Sequence, residues 1–351
     1  DTTGGQAFLQ ELARIIGVRS VRLEIASTLA SAKELRDAKL RLGLVHNLDE
    51  GLRQVGSQLA SVVPNEELQP FYAEALVAAA DGIAEGLRLA GIRVLAAMPF
   101  EEVREVLFAF IAPPQSDLIQ LTAIQALARY NDSRVGTGLT QRWGGMPQLV
   151  RAGALEALLA RPDGCQALLA AIEAGRIRRD ELASPQVTFL RMHHEATVLQ
   201  RAASVFGPAA ARNSEEILKR LRPALSAHGD STQGRQIFLG RCAECHRFRG
   251  EGSEFGPDLE GAASHGKEWV LTHLADLNRL VPPSGELRAI ETRHLGSVLG
   301  VVEDETPAGM IVRQPLGVRL ALPRSTILEG VLLGASAMPE DLEAGLTPKA
   351  V

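Results

Sequence analysis

The chain has 351 residues, 46% of them hydrophobic and only 4% aromatic, with a net charge of −5. That length accommodates about two to three domains at ~100–200 residues each, and the wealth of Ala and Leu points to helices packed through small residues. No basic run or stripe recommends a nucleic-acid partner. No stretch approaches the ~20 apolar residues of a transmembrane helix, and three cysteines make no disulfide scaffold. No signal peptide is evident. A start at Asp1-Thr2-Thr3-Gly4, without methionine, is expected of a processed or excised piece of something longer.

From residue 7 to residue 228 amphipathic segments follow one another with short breaks. FLQELARII, VRLEIASTLAS, GLRQVGSQLASVV, EEVREVLFAFI, DLIQLTAIQALARY, PQLVRAGALEALLAR and GCQALLAAIEAG all read as helices. Runs such as Leu121 to Ala128 and Val150 to Leu159 present Ala/Leu faces on which helix pairs can stack, each pair stable only against its neighbours. This predicts a HEAT-like α-solenoid over 1–228, of about five to six pairs at a period of roughly 35–45 residues. A non-repetitive helical bundle is the alternative. Cys165, in an apolar helical stretch, is expected to be a small buried hydrophobe. His193 and His194 are expected as solvated residues at a helix start, because Glu195 follows and the next apolar face begins at Val198; an auxiliary metal site is the alternative. Arg178, Arg179, Arg220 and Arg222 are expected on solvated faces, with an electrostatic docking patch as the minority reading.

The most specific signal is Cys242-Ala243-Glu244-Cys245-His246. Cys-x-x-Cys-His is the attachment signature of a c-type haem: the two thiols add across the haem vinyl groups, and the histidine is held beneath the iron as its ligand. Two rivals fare worse. A structural zinc needs a second Cys/His pair at short spacing, and downstream stand only His265, His273 and His294. A thioredoxin-like dithiol wants a helix start within a βαβ unit, which is absent. Upstream, Gly234, Phe238 and Cys242 fall at i, i+4 and i+8 on one helix face, where the glycine would admit another helix. Downstream, Gly256-Pro257-Asp258-Leu259 resembles the loop of small c-type cytochromes in which the proline carbonyl accepts a hydrogen bond from the ligand histidine. Such a bond orients an imidazole and makes it a better donor.

Residues 286–328 change character. LRAIETR, SVLGVVE, GMIVRQ and VRLALP read as about four short strands, separated by His294-Leu295-Gly296, Thr306-Pro307-Ala308-Gly309 and Pro315-Leu316-Gly317. Val318, Leu320 and Leu322 alternate with Arg319 and Ala321. A small antiparallel sheet inserted in the haem domain is predicted, which accounts for the 92 positions between His246 and Met338. Met338, in Ala335-Ser336-Ala337-Met338-Pro339-Glu340, is the candidate sixth ligand, because the proline after it disfavours helix and suits a loop that presents a thioether. Met98, Met146 and Met192 precede the haem domain, and Met310 lies in a strand-like run. Ligation by His265, His273 or His294 and an open site are the alternatives.

These segments together resemble the PVC-type haem-binding CxxCH family, the HEAT-repeat and c-type cytochrome region at the C-terminus of large proteins described as membrane-bound dehydrogenases of the pyrroloquinoline-quinone or sorbosone type. The resemblance rests on GRQIFLGRCAECHRF, GEGSEFGPDLEG, the β insertion and SAMPEDLEAGLTP. In the helical part it rests on FLQELARIIG, ALLARPDGCQALLAAIEAGRIRRDEL and LQRAASVFG. It implies a mainly α chain with a HEAT-like solenoid (1–228) and a class I-like cytochrome c domain (229–351) whose C-terminal helix is truncated at Thr347-Pro348-Lys349-Ala350-Val351. The expected cofactor is one covalent haem c held by Cys242, Cys245, His246 and Met338, with Gly256 and Pro257 behind His246. The expected function is extracytoplasmic electron transfer, in the periplasm or its equivalent, from a dehydrogenase domain or subunit to an unidentified acceptor. A haem-based sensor with displaceable Met338 and a haem peroxidase are the rival functions.

Overall fold

A computed structural model of the chain describes residues 3–207, 213–277, 286–293, 295–314, 319–336, 338 and 342–348. It comprises two compact units, residues 1–177 with 292–297, and residues 178–291 with 298–351. The helices between 178 and 228 thus fall in the second unit, whereas the sequence-based division stands at 228/229. Among the described residues, no helix is long and apolar enough to cross a membrane.

The first unit is helical: α1 (Thr3–Arg19), α2 (Arg22–Lys33), α3 (Ala38–Gln54), α4 (Leu59–Val62), α5 (Asn65–Ala79), α6 (Glu85–Leu95), α7 (Phe100–Ala109), α8 (Asp117–Leu127), α9 (Ser133–Arg142), α10 (Gln148–Leu159) and α11 (Pro162–Glu173). Several starts are written in the sequence. Asp37 accepts the N–H groups of Lys39 and Leu40, and Ser116 and Asp132 cap α8 and α9 in the same way, satisfying donors that a helix start leaves unpaired. Helix α3 buries Leu40, Leu44, Leu48 and Leu52, spaced by four. Contacts run from α1 to α3, α3 to α6, α6 to α8 and α8 to α10, with α5 on α6, α7 on α8 and α9 on α11. Small residues set the closest approach. A Cβ on Gly17 would lie 2.2 Å from the Leu48 carbonyl oxygen, and one on Gly51 would lie 2.0 Å from that of Arg14.

A polar spine crosses this unit. Buried Asp49 accepts from Arg53 Nε at 2.8 Å and from the Leu59 N–H at 3.0 Å. Arg129 pairs with Glu50 and lies 3.6 Å from Asp49. Arg53 also donates to the Ala96 carbonyl, and Tyr130 to those of Leu95 and Met98. Cys165 is fully buried, as a small hydrophobe should be.

The second unit holds α12 (Ser184–Arg191), α13 (Ala196–Phe206), α14 (Ser214–Leu221), α15 (Ser231–Arg241) and α16 (Lys267–Ala275). Ile217 and Leu221 of α14 bury against Leu271 and Ala275 of α16. The expectation of two solvated histidines holds for His194 and fails for His193, which is only 2% exposed. Between α12 and α13 the chain turns so that the His193 ring meets the edge of Phe189, stacks on His194 and accepts the Glu195 N–H through Nδ1. Arg220, expected on a solvated face, is exposed yet donates to the Leu346 carbonyl at 3.1 Å.

Two short strands, β1 (Arg247–Phe248) and β2 (Glu251–Gly252), pair antiparallel. A larger sheet contains β3 (Glu286–Thr292), β4 (Gly296–Thr306), β5 (Gly309–Arg313), β6 (Arg319–Pro323) and β7 (Ile327–Ser336) in the order β6-β5-β4-β3-β7. The expected insertion of four strands ending near residue 328 is therefore corrected to five strands ending at Ser336. The added strand escapes alternation because Leu328 and Val331 are apolar yet exposed. One sheet face buries Ile290, Val298, Val302, Met310, Val312 and Leu322 together. Strands β4 and β5 pair from Val301↔Arg313 to Thr306↔Gly309, with a bulge at Glu303. His294, Pro315-Leu316-Gly317, Val318, Ala337, Pro339, Glu340 and residues 349–351 lie outside the described residues.

Candidate functional site

Asp230 starts α15 by accepting the N–H groups of Thr232 and Gln233. The helix ends where the motif begins: the Phe238 carbonyl accepts from both the Cys242 and Ala243 N–H groups, at 2.8 and 2.9 Å. The Cys242 carbonyl then accepts from Cys245 at 3.1 Å and from His246 at 2.7 Å. Both thiols and the imidazole are thus carried on one hydrogen-bonded turn. Phe238 meets Phe248 of β1 edge to face, with centroids 5.8 Å apart. Gly234, expected to admit another helix, has none of the described residues within 4 Å of where its Cβ would stand.

Behind the imidazole lies the loop from 253 to 257. It is tied to the turn by Ser253 N–H to the Ala243 carbonyl (2.9 Å) and Gly256 N–H to the Cys245 carbonyl (2.5 Å). His246 Nδ1 stands 2.7 Å from the Pro257 carbonyl oxygen. A carbonyl only accepts, so Nδ1 carries the proton and Nε2 keeps its lone pair for a metal. Gly256 lies against the ring: a Cβ there would come within 2.7 Å of Cε1 and 2.9 Å of Nδ1. Gly252, just ahead of this loop, takes φ +98°, and a Cβ would stand 2.1 Å from the His246 carbonyl oxygen.

The electrostatics of the two thiols speak against a redox dithiol. Burial pushes the Cys242 thiol up despite nearby Arg241, and pushes Cys245 up to about 11, with Glu244 and Cys242 adding to the effect. A redox-active dithiol needs the opposite, a depressed pKa. Position agrees, since Cys242 closes the C-terminus of α15, the end whose dipole disfavours a thiolate. Burial lowers the His246 pKa, opposed by the bond to Pro257, so the ring is neutral and able to ligate.

The structure brings Cys242, Cys245, His246, Gly256 and Pro257 together. Met338 is partly buried just beyond β7, and its N–H donates to Ser336 Oγ at 3.2 Å. The segment after it reaches the haem motif: Arg241, next to Cys242, donates from Nη1 to the carbonyls of Leu342 (3.0 Å) and Ala344 (2.7 Å). His265 stacks on Trp269, His273 lies tilted against the same ring, and His273 Nδ1 bonds the Trp269 carbonyl at 2.8 Å.

The donor set fits a c-type haem: two thiols and an imidazole on one turn, the correct ring tautomer, and a glycine that leaves the ring its place. Residues 231–288 match the family model described as Cytochrome c. A stretch of 38 residues, 10% of this chain, is 45% identical to "Cytochrome c" of Arabidopsis thaliana. That match spans about a third (34%) of the relative's length. Residues 231–288 are therefore a c-type cytochrome region, one whose family implies covalently bound haem c and electron transfer through it.

Proposed function

We propose that the chain is an extracytoplasmic electron-transfer module with one haem c, in which Cys242 and Cys245 form the thioethers and His246 and Met338 ligate the iron. The observation that carries this reading is the 2.7 Å contact between His246 Nδ1 and the Pro257 carbonyl on the same turn as the two thiols. When bound, the haem supplies a one-electron couple whose potential follows from its axial ligands and their hydrogen bonds. The chain's own part is to bind the ring covalently, to orient the imidazole and to hold Nδ1–H against a carbonyl.

Met338 is favoured as sixth ligand by chain reach. Leu342 is bonded to Arg241, and four residues of extended chain span at most about 14 Å. The helical part is proposed as HEAT-like repeats, supported by the stepwise contacts of α1, α3, α6, α8 and α10. Its role is to carry the cytochrome beside a dehydrogenase domain or subunit that donates electrons, in the periplasm or its equivalent.

The test is expression with a c-type maturation system, followed by haem staining on a denaturing gel and a reduced spectrum with and without carbon monoxide. Covalent haem that ignores carbon monoxide is expected. Staining that survives replacement of both Cys242 and Cys245 by Ala overturns the attachment, and ready carbon monoxide binding by the intact protein overturns the carrier.

A further inference from the structure

The loop behind His246 is gripped from the sheet. Arg313, the last residue of β5, donates from Nη1 to the backbone carbonyl of Glu254. Arg319, the first residue of β6, donates from Nη2 to Glu254 Oε2 at 3.3 Å. Arg247, the residue after His246, donates to Glu254 Oε1 at 2.9 Å. Glu254 is thus held through three atoms, two residues before Gly256 and three before Pro257. Its neighbour Phe255 is 2% exposed.

Sheet register does not explain this arrangement. Arg313 and Arg319 are direct cross-strand partners, and like charges placed opposite one another repel. Glu303 stands between them, with Oε2 at 2.8 Å from Arg319 Nε and 3.7 Å from Arg313 Nε. Glu303 is also where the β4 bulge falls, and bulges serve to re-aim a side chain. The sheet's buried face is built from Ile, Val, Met and Leu and needs neither arginine.

We infer that Arg313 and Arg319 are positioning residues which clamp the 253–257 loop through Glu254, so that the inserted sheet sets how firmly the Pro257 carbonyl holds the His246 ring. The inference rests on the haem reading of the site. It gives the sheet a task that the cytochrome motif alone does not explain.

Charge and positioning can be told apart by sign. In Arg313→Met, a loosened loop weakens the bond to Nδ1 and leaves the imidazole a poorer donor. The couple then shifts toward ferrous by about tenfold, which is about 59 mV for one electron. Loss of a nearby positive charge alone shifts it toward ferric. The deciding readout is the exchange of the His246 Nδ1 proton with solvent, followed by NMR in the reduced protein. About tenfold faster exchange is expected for Arg313→Met, while Arg324→Met, which removes a partner of Glu305 rather than of the loop, leaves it unchanged. Parental exchange in Arg313→Met overturns the inference whatever the potential does. If the chain takes up no covalent haem, the proposed function fails. The clamp is then judged on the same variant by amide exchange of Ser253, Gly256 and Leu259: about tenfold faster exchange supports it, and unchanged exchange overturns it.

Discussion

Replacing Gly256 by Ala tests the site at its tightest point. The new Cβ would stand 2.7 Å from His246 Cε1, 2.9 Å from Nδ1 and 3.1 Å from Nε2, against an ordinary contact of 3.4–4 Å. Either loop or ring must yield by about 0.7 Å, the difference between 3.4 and 2.7 Å. The loop is poorly able to move, since Gly256 N–H is bonded to Cys245 and Pro257 follows with a fixed φ. If the ring retreats along the Nδ1–O axis, its 2.7 Å bond to Pro257 stretches to about 3.4 Å, past the useful range for an N–H donor. Overpacking costs about 1–3 kcal/mol, and the lost hydrogen bond adds about 1 kcal/mol. The expected destabilisation is thus about 2–4 kcal/mol, read by urea denaturation of the haem-loaded protein at neutral pH. The Nδ1 proton should also lose its slow exchange. A variant within ~0.5 kcal/mol of the parent, with that proton still protected, would show that the loop gives way freely and that glycine is not required there.

Three further outcomes are expected. Met338→Ala should give a high-spin haem that binds carbon monoxide, with a lowered potential, whereas His294→Ala should leave the spectrum alone; a parental spectrum for Met338→Ala removes the methionine from the iron. Burial, helped by the charge of His194, holds His193 down at about 4, below its ordinary ~6.5, so only the unfolded chain binds its proton between those values. Stability is therefore full above pH 6.5 and declines toward pH 4, by at most about 3 kcal/mol from this residue. His193→Phe should flatten that part of the curve in urea titrations at pH 7 and 4.5, and an identical slope refutes the assignment. Asp49→Asn should cost about 3 kcal/mol, because Arg53 and Arg129 lose a buried counter-charge; a change below ~0.5 kcal/mol in the same assay would mean the pair is already solvated.

The site was legible to the extent that its chemistry is local in sequence. Cys242, Cys245 and His246 share one turn, and Gly256-Pro257 follows close enough for its spacing to carry meaning. The helices were legible through apolar periodicity, as in EEVREVLFAFI (α7) and PQLVRAGALEALLAR (α10), whereas GLRQVGSQLASVV, expected as one helix, is split between the end of α3 at Gln54 and α4 at Leu59–Val62. What stayed hidden is long-range. Arg313 and Arg319 reach Glu254 across 59 and 65 residues, and no periodicity encodes such a bond. His193 and His194 look alike in sequence, and only the turn after α12 puts one beneath Phe189. Strand β7 lacks the alternation that exposed its neighbours, because exposed Leu328 and Val331 break the pattern.

The spine around Asp49 has a consequence for how the helical unit comes apart. Stacked helix pairs with only nearest-neighbour contacts can fray one pair at a time. Here one acid on α3 is bonded to the start of α4 and to Arg53, which reaches Ala96 beyond α6, while Arg129 joins it from beyond α8. Opening any one of these connections strands charge in the interior, so residues from about 49 to 130 should open together as a single foldon. Hydrogen exchange would then report one shared opening free energy across α3 to α8, with independent fraying confined to helices outside that span.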